Sequence, residues 1–219
     1  LQLKKSADGG DLNSIYEYGM KLYKGEGIPE NCEEAARYYK MAADRGNVTA
    51  MCNYAILLDE GKGNKIEEAR YFKMAADQGD LDAMNNYASM LETGEGVPIN
   101  TKEAARYYKM AADRGNVTSM FNYANMIENG IGIDMDKKEA AKYYKSAIDK
   151  GHPESMYNYG NMLYNGIGVA INKEEAANYF KMAADCGICD AMFNFAVMSF
   201  LGDGIEINKK MATVYYKLA

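Results

Sequence analysis

Glycine recurs in this sequence at a fixed interval, and that interval limits the folds that the chain can adopt. One series of single glycines has steps of 36, 33, 36, 36 and 36 residues and consists of Gly10, Gly46, Gly79, Gly115, Gly151 and Gly187. A second series, of Gly-x-Gly pairs, has the same steps and consists of Gly25/Gly27, Gly61/Gly63, Gly94/Gly96, Gly130/Gly132, Gly166/Gly168 and Gly202/Gly204. These positions hold 18 of the 21 glycines, so the chain is predicted to be an array of repeats.

Each repeat has the pattern of two helices. In the first helix, typified by NVTSMFNYANMIENG, apolar or small residues recur at helical spacing. The second helix, typified by TKEAARYYKMAADRG, carries Ala pairs that allow close approach and a Tyr pair that supplies bulk. Neither helix can bury its apolar face alone, whereas stacked hairpins can. The sequence therefore predicts an all-α solenoid of stacked antiparallel helix hairpins in about six 36-residue repeats.

We expect a single solenoid domain over residues 1–219. Its repeats cover approximately residues 11–46, 47–79, 80–115, 116–151, 152–187 and 188–219, after a partial helix at 1–10. The second repeat is three residues short in its loop, and it has Glu68 where the others have Ala, so we expect its packing to differ. Both ends of the chain fall inside a repeat, which indicates a segment of a longer array; the alternative is a short protein with unusual ends.

A common motif extends over both helices of every repeat and the loop between them. In the third repeat it consists of Ala83, Tyr87, Ala88, Leu91, Gly94, Gly96, Val97, Ala104, Tyr107, Tyr108, Ala111, Ala112 and Gly115. This motif resembles that of the Sel-one-like repeat (SLR) family in the tetratricopeptide-repeat superfamily. The resemblance implies a right-handed α-solenoid superhelix that serves as a protein-binding scaffold or adaptor, in protein quality control or signalling.

Composition narrows the function classes. The net charge of −6 argues against nucleic acid as a partner, because binding to phosphates needs a cationic surface. The apolar runs are only a few residues long, too short for a membrane span. A single histidine, His152, leaves little room for His-based catalysis, and we expect it to be a helix cap or an exposed residue. We predict no catalytic residue, no metal site and no cofactor.

The four cysteines favour a reducing compartment, and hence the cytoplasm. Cys32, Cys52, Cys186 and Cys189 share no phase, unlike the Cys pairs that the family resemblance implies for secreted members. Cys186 and Cys189 form a C-x-x-C sequence, but it spans a turn with no second pair, so we interpret it as accidental. The alternative localisation is the lumen of the endoplasmic reticulum, which would apply if the flanking sequence carried a signal peptide.

The face of the first helices that is not used for the core is the predicted binding surface. Positions are counted from the Ala or Ser that opens each first helix, namely Ser14, Ala50, Ala83, Ser119, Ser155 and Ala191. Positions +1, +4, +5 and +8 are predicted to be buried. Positions +2, +6 and +9 share a neighbouring stripe, and position +3 adjoins it. In solenoids of the superfamily the first helices line the concave face, so we expect these positions to line a groove.

Position +3 holds an asparagine in five successive repeats, which we call the Asn ladder: Asn53, Asn86, Asn122, Asn158 and Asn194. An Asn amide can donate to and accept from one peptide group, so the ladder could hold an extended chain. The alternative is that each Asn bonds the protein's own backbone. Further predicted binding residues on the stripe are Asn125, Asn161, Tyr157, Tyr164, Phe121, Glu92 and Glu128. Phe193 and Phe200 are assigned to packing between repeats.

The distribution of charged residues between the first and second helices predicts what this surface binds. The first helices of the second to sixth repeats contain acids but no Lys or Arg. A clamp for a C-terminal carboxylate needs cations, so the groove should instead take a neutral to basic, partly apolar protein or peptide segment.

The function that the sequence favours is that of a non-enzymatic scaffold for protein interactions. A structural spacer, or an element that self-associates through exposed ends, is the alternative. The resemblance also implies a third possibility, since some secreted SLR proteins are similar to penicillin-binding or weak β-lactamase proteins, but no nucleophile–base pair is evident here.

Overall fold

The computed structural model describes residues 2–60 and 64–219, apart from the side chain of Glu60. The Gly61/Gly63 pair and the start of the short loop of the second repeat lie outside these residues. The described residues form thirteen α-helices and no strand, as the sequence predicts. The helices are α1 (Gln2–Asp8), α2 (Leu12–Lys24), α3 (Cys32–Ala43), α4 (Val48–Glu60), α5 (Lys65–Asp77), α6 (Leu81–Thr93), α7 (Thr101–Asp113), α8 (Val117–Asn129), α9 (Lys137–Ile148), α10 (Pro153–Asn165), α11 (Lys173–Asp185), α12 (Cys189–Leu201) and α13 (Lys209–Leu218).

The helices fall into two compact bodies, residues 1–107 and residues 108–219, and the boundary lies inside α7. We call them the N-terminal and C-terminal bodies. In each body consecutive helices pack as antiparallel hairpins, with α2 against α3 and α4 against α5 in the first, and α8 against α9, α10 against α11 and α12 against α13 in the second. The first helices of the last five repeats are therefore α4, α6, α8, α10 and α12.

Helix ends follow from the residues that flank them. Asn47, Asp80 and Asn116 cap α4, α6 and α8, since the side chain of each accepts a hydrogen bond from the backbone N–H three residues later at 2.8 Å. Asn and Asp are favoured at this position because their short side chains reach the free N–H groups of the first turn. At the other end, Gly130 closes α8 in the left-handed conformation, with φ of 68°, and its N–H bonds the carbonyl of Met126. Glycine adopts this conformation without the steric cost that a Cβ imposes.

One aromatic contact recurs in all six hairpins. The aromatic residue at position +4 of each first helix meets the first Tyr of the second helix edge-on, with ring centroids 4.8–5.3 Å apart and planes at 78–88°. The pairs are Tyr18–Tyr38, Tyr54–Tyr71, Tyr87–Tyr107, Tyr123–Tyr143, Tyr159–Tyr179 and Phe195–Tyr215. An edge-on pair adds about 0.5–1.5 kcal/mol beyond the burial of its area.

The same tyrosines connect neighbouring repeats through their hydroxyl groups. Each of five donates a hydrogen bond of 2.5–3.0 Å to an Asp at the end of the preceding second helix. The bonds are Tyr38–Asp8, Tyr71–Asp44 and Tyr107–Asp77 in the N-terminal body, and Tyr143–Asp113 and Tyr215–Asp185 in the C-terminal body.

The predicted core positions are largely confirmed, with two corrections. Tyr18, Leu58 and Met192 are only half-buried. In addition, a position that the sequence analysis omitted belongs to the core: the methionines at +7, which are at most 5% exposed, namely Met90, Met126, Met162 and Met198. Position +7 lies about one helical turn beyond +4 on the same side of the helix, and the flexible Met side chain adapts to irregular space in a core.

Replacing Gly168 by Ala should destabilise the C-terminal body more than replacing Gly130 by Ala. Both glycines have nearly the same φ, 69° and 68°, so the left-handed backbone costs each variant about 1–2 kcal/mol. A Cβ at Gly168 would also lie 2.3 Å from the carbonyl oxygen of Lys137, whereas one at Gly130 has no neighbour closer than 3.6 Å. Urea unfolding measures both; equal losses would contradict the account.

Candidate protein-binding site

The five residues of the Asn ladder occupy equivalent places but have different surroundings. All five are half-buried on the first helices. What differs is the second residue of the Tyr pair in the preceding second helix, which is Tyr39, Phe72, Tyr108, Tyr144 or Phe180. Each of these residues stands fourteen positions before its asparagine.

The asparagine of the fifth repeat, Asn158, follows a tyrosine of the fourth repeat, Tyr144, and forms a hydrogen bond with its hydroxyl group. Asn158 Nδ2 donates to Tyr144 Oη at 3.2 Å, and Tyr144 in turn donates to Glu128 Oε2 at 2.8 Å. Tyr144 is fully buried, and burial, followed by the charge of Glu128, raises its pKa. Two predicted binding residues, Asn158 and Glu128, are thus held by an internal hydrogen-bond network.

The second repeat shows a related arrangement around Asn53. Its Nδ2 donates to Tyr16 Oη at 3.5 Å, and the ring of Tyr16 lies 5.9 Å from that of Tyr39. Burial raises the pKa of Tyr39 to about 12, while a hydrogen bond from Asn53 opposes this rise. Neither asparagine bonds backbone in these contacts, contrary to the alternative that the sequence left open; both bond tyrosine hydroxyls.

The asparagine of the sixth repeat, Asn194, follows a phenylalanine of the fifth repeat, Phe180, and a pocket lies beside these two residues. Phe180 and Asn194 both line a pocket of about 270 Å³ between α10, α11 and α12. No described residue forms a hydrogen bond with the Asn194 side chain. The remaining lining residues are Asn161, Tyr164, Asn165, Phe193, Val197 and Met198.

The N-terminal body repeats the association of phenylalanine with a pocket. Phe72 and Asn86 line a pocket of about 220 Å³ between α4, α5 and α6. Here Asn86 Oδ1 accepts a weak hydrogen bond of 3.4 Å from Asn85. Charged groups make up much of the remaining wall, so the two pockets suit different ligands.

The other predicted binding residues have mixed surroundings. Tyr164 lines the C-terminal pocket, but its hydroxyl donates to Asp203 at 2.6 Å and the Lys173 ammonium lies 4.9 Å from its ring. The side chain of Asn125 accepts a hydrogen bond of 2.6 Å from Asn129. The remaining residues are half-buried: Asn122, Asn161, Tyr157, Phe121 and Glu92.

Asn161, Tyr164 and Asn194, three of the eight described residues that line the pocket, are predicted by the sequence, whereas the apolar wall of the pocket is not. Phe193 was assigned to packing, but it is 54% exposed and lines the pocket. Phe200 is exposed as well, and the Lys209 ammonium lies 5.6 Å from its ring. Phe180 is the omission that matters most, and the signal was present: aligning the repeats shows Phe in place of the second Tyr at Phe72 and Phe180.

The groups that carry chemistry in other proteins have structural surroundings here. His152 is a cap, one of the two roles expected for it: its Nδ1 accepts from the N–H of Ser155 at 3.3 Å, and its ring lies 4.9 Å from that of Phe121. The four cysteines are free thiols, and Cys186 and Cys189 are exposed. Among the described residues, no three His, Cys, Asp and Glu side chains are arranged to hold a metal ion.

Within residues 2–60 and 64–219, no helix is both long enough and apolar enough to cross a membrane.

The His152 cap should make folding pH-dependent. Burial lowers the pKa of His152, against the opposing charge of Glu154, so the folded state favours the neutral imidazole whose Nδ1 accepts the bond. Its contribution to stability is therefore present above the unfolded pKa of about 6.5 and is lost as the pH falls below it. We expect wild type to lose about 0.5–2 kcal/mol relative to His152→Asn between pH 7.5 and 5.

Urea unfolding of both proteins across this range is the measurement. Subtracting the unfolding free energy of one protein from that of the other cancels the contribution of all other titrating groups. Asn is a matched replacement because Asn116 caps α8 in the same way. A constant difference across the range would contradict the prediction.

Comparison with known proteins agrees with the repeat organisation. The sequence profile described as Sel1 repeat matches six consecutive stretches, residues 12–47, 48–80, 81–116, 117–152, 153–188 and 189–219. No curated protein matches the chain in sequence.

Solved structures with the same fold come from several bacteria. A protective antigen of uropathogenic Escherichia coli strains with an SLR fold superposes with a TM-score of 0.92 at 26% identity, covering 99% of this chain and 47% of the antigen. This chain thus spans about half the length of that protein. A Sel1 repeat protein from Oxalobacter formigenes has a TM-score of 0.84 at 24% identity, covering 95% of this chain and 84% of the other. An immunity protein of Pseudomonas aeruginosa has a TM-score of 0.54 at 21% identity, covering 95% and 80%.

Proposed function

This chain belongs to the Sel1 repeat family, and we propose that it is a non-enzymatic scaffold that binds a protein segment in the pocket between α10, α11 and α12. Sel1 repeat proteins are generally scaffolds for protein interactions. The observation that supports this site is the pocket of about 270 Å³ in which the Asn194 amide faces aromatic and aliphatic walls. A concave, mostly apolar site with a few polar groups is the usual form of a binding pocket.

The lining determines the chemistry of the segment. Phe180, Phe193 and Val197 provide apolar surface for one large aliphatic or aromatic side chain. Asn194 and Asn161 carry a donor and an acceptor each, which match the C=O and N–H of one peptide group. The bound segment is therefore extended at this point, and it places an apolar side chain in the pocket.

Charge favours a neutral to basic segment. The helices α10 and α12, which form two sides of the pocket, contain no Lys or Arg and carry the acids Glu154 and Asp190. The Lys173 ammonium lies 4.9 Å from the Tyr164 ring, and it is already paired with Asp203 at 2.8 Å. The described lining of the pocket contains no Lys or Arg to bind a free C-terminal carboxylate, so an internal segment of a partner is the better ligand.

The Asn ladder divides into two groups in this proposal. Asn194 and Asn161 contact the segment, together with Tyr164. Asn158 and Asn53 instead orient tyrosines inside the protein. Asn86 lines a separate pocket, and the sequence-based prediction stands for Asn122, Asn125, Tyr157, Phe121 and Glu92.

Binding can be tested with peptides selected from a displayed random library against the full 219-residue chain. Selected peptides should share a large apolar residue and lack net negative charge. Asn194→Ala should weaken their binding roughly tenfold or more, because it leaves a buried peptide group unpaired. Phe180→Tyr should weaken binding similarly, since its hydroxyl would occupy the pocket as Tyr144 Oη occupies the equivalent place. Fluorescence anisotropy with a labelled peptide gives the affinities.

The matched control is Asn158→Ala, which removes an equivalent amide that Tyr144 already engages. It should reduce stability and leave peptide affinity within about twofold. Unchanged affinity in both Asn194→Ala and Phe180→Tyr, with an unchanged unfolding midpoint, would refute the site. Failure to select any peptide, together with concentration-dependent size in light scattering, would favour self-assembly instead.

A further inference from the structure

A carboxylate lies in the core of the N-terminal body at a position that is otherwise alanine. Glu68 on α5 is 5% exposed, and its equivalents in the other repeats are Ala35, Ala104, Ala140, Ala176 and Ala212. Burying a charge is costly unless it is paired and hydrogen-bonded. The structural requirement at this position is satisfied by a methyl group, so the carboxylate is not needed for the fold.

The carboxylate of Glu68 is incompletely satisfied within the protein. Its Oε2 is buried, and its contact among the described residues is the ion pair with the Lys65 ammonium, 3.0 Å away, with no further hydrogen bond from that part of the chain. Burial raises the pKa of Glu68, and the attraction of Lys65 does not cancel this effect. The nearby charges of Asp59 and Glu95 raise it further.

Glu68 lines the pocket of about 220 Å³ between α4, α5 and α6, together with Asp59 and Glu95. Among the described residues that line this pocket, Lys65 is the cation, and it contacts all three carboxylates: it pairs with Asp59, lies 3.0 Å from Glu68 and lies 3.5 Å from Glu95. The described lining therefore carries an excess of two negative charges. The other lining residues are Ile56, Phe72, Asn86, Ser89 and Met90.

We propose that this pocket binds the guanidinium group of an arginine side chain from a partner protein. A guanidinium presents five N–H donors in a planar fork, which suits several carboxylate oxygens at once. Glu68 Oε2 supplies a buried acceptor whose partner among the described residues is Lys65, and Asp59 and Glu95 supply further acceptors. Phe72 and Met90 provide apolar walls for the methylene stem of the arginine.

Other ligand classes fit this pocket less well. An anion would be repelled by the excess of carboxylates. A lysine ammonium, being a compact point charge, would duplicate the contacts that Lys65 already makes and could not reach three carboxylates in a plane. This site lies in a different body from the pocket at Asn194, so a test of one site does not decide the other.

The test uses the full chain and blocked arginine, N-acetyl-arginine N-methylamide, as the probe, followed by ¹⁵N–¹H chemical shifts. Amides near Ile56, Asn86 and Ser89 should shift with added arginine. Blocked citrulline, which has the same shape but no charge, should cause no comparable shift. Glu68→Gln should weaken arginine binding roughly tenfold or more, because it removes the buried charge-assisted bond. Lys65→Gln should strengthen it, because the competing cation is removed.

Glu33→Gln is the matched control, since Glu33 is an exposed acid of the same body outside the pocket. It should change the affinity by less than about twofold. Equal shifts with citrulline and arginine, or equal arginine affinity in wild type and Glu68→Gln, would overturn the proposal. Absence of any arginine-induced shift near the pocket would overturn it as well.

Discussion

One tyrosine in each second helix provides the contacts on which the repeats depend. Its ring packs edge-on against the first helix of the same repeat, and in five cases its hydroxyl bonds an Asp of the preceding repeat. Tyr143 illustrates both, since it contacts Tyr123 and donates to Asp113. A tyrosine serves both purposes because an apolar ring ends in a polar group. Both contacts are kept even in the repeat that is three residues short, where Tyr71 contacts Tyr54 and donates to Asp44.

The second aromatic residue of the pair is free from this requirement, and it varies. Tyr144 fills its place completely and engages Asn158, whereas Phe180 leaves space beside Asn194. The difference is one hydroxyl group, and under the proposed function it leaves the Asn194 amide available to a ligand. In this proposal a single side-chain change in a regular repeat is enough to create a binding pocket. The pocket beside Phe72 follows the same rule, with carboxylates added.

The sequence predicted the fold well and the site only in outline. Phased glycines, caps such as Asn116 and the helix pattern are local signals, so the helices and their ends could be derived from them. The role of each asparagine could not, because it depends on a residue of another helix fourteen positions earlier. Asn158 and Asn194 look identical in the sequence pattern, and only their neighbours Tyr144 and Phe180 distinguish them. Similarly, Glu68 was recognised as a departure from the repeat, but its pocket required coordinates.

The most direct test of this account is the side-chain amide spectrum of the chain labelled with ¹⁵N-asparagine. It is recorded with and without a selected peptide. The account predicts that the Asn194 and Asn161 side-chain signals shift on binding, while the Asn158 signal, held by Tyr144, stays in place. Shifts at Asn158 with an unchanged Asn194 signal would contradict it, since the available amide and the engaged amide would then have exchanged roles.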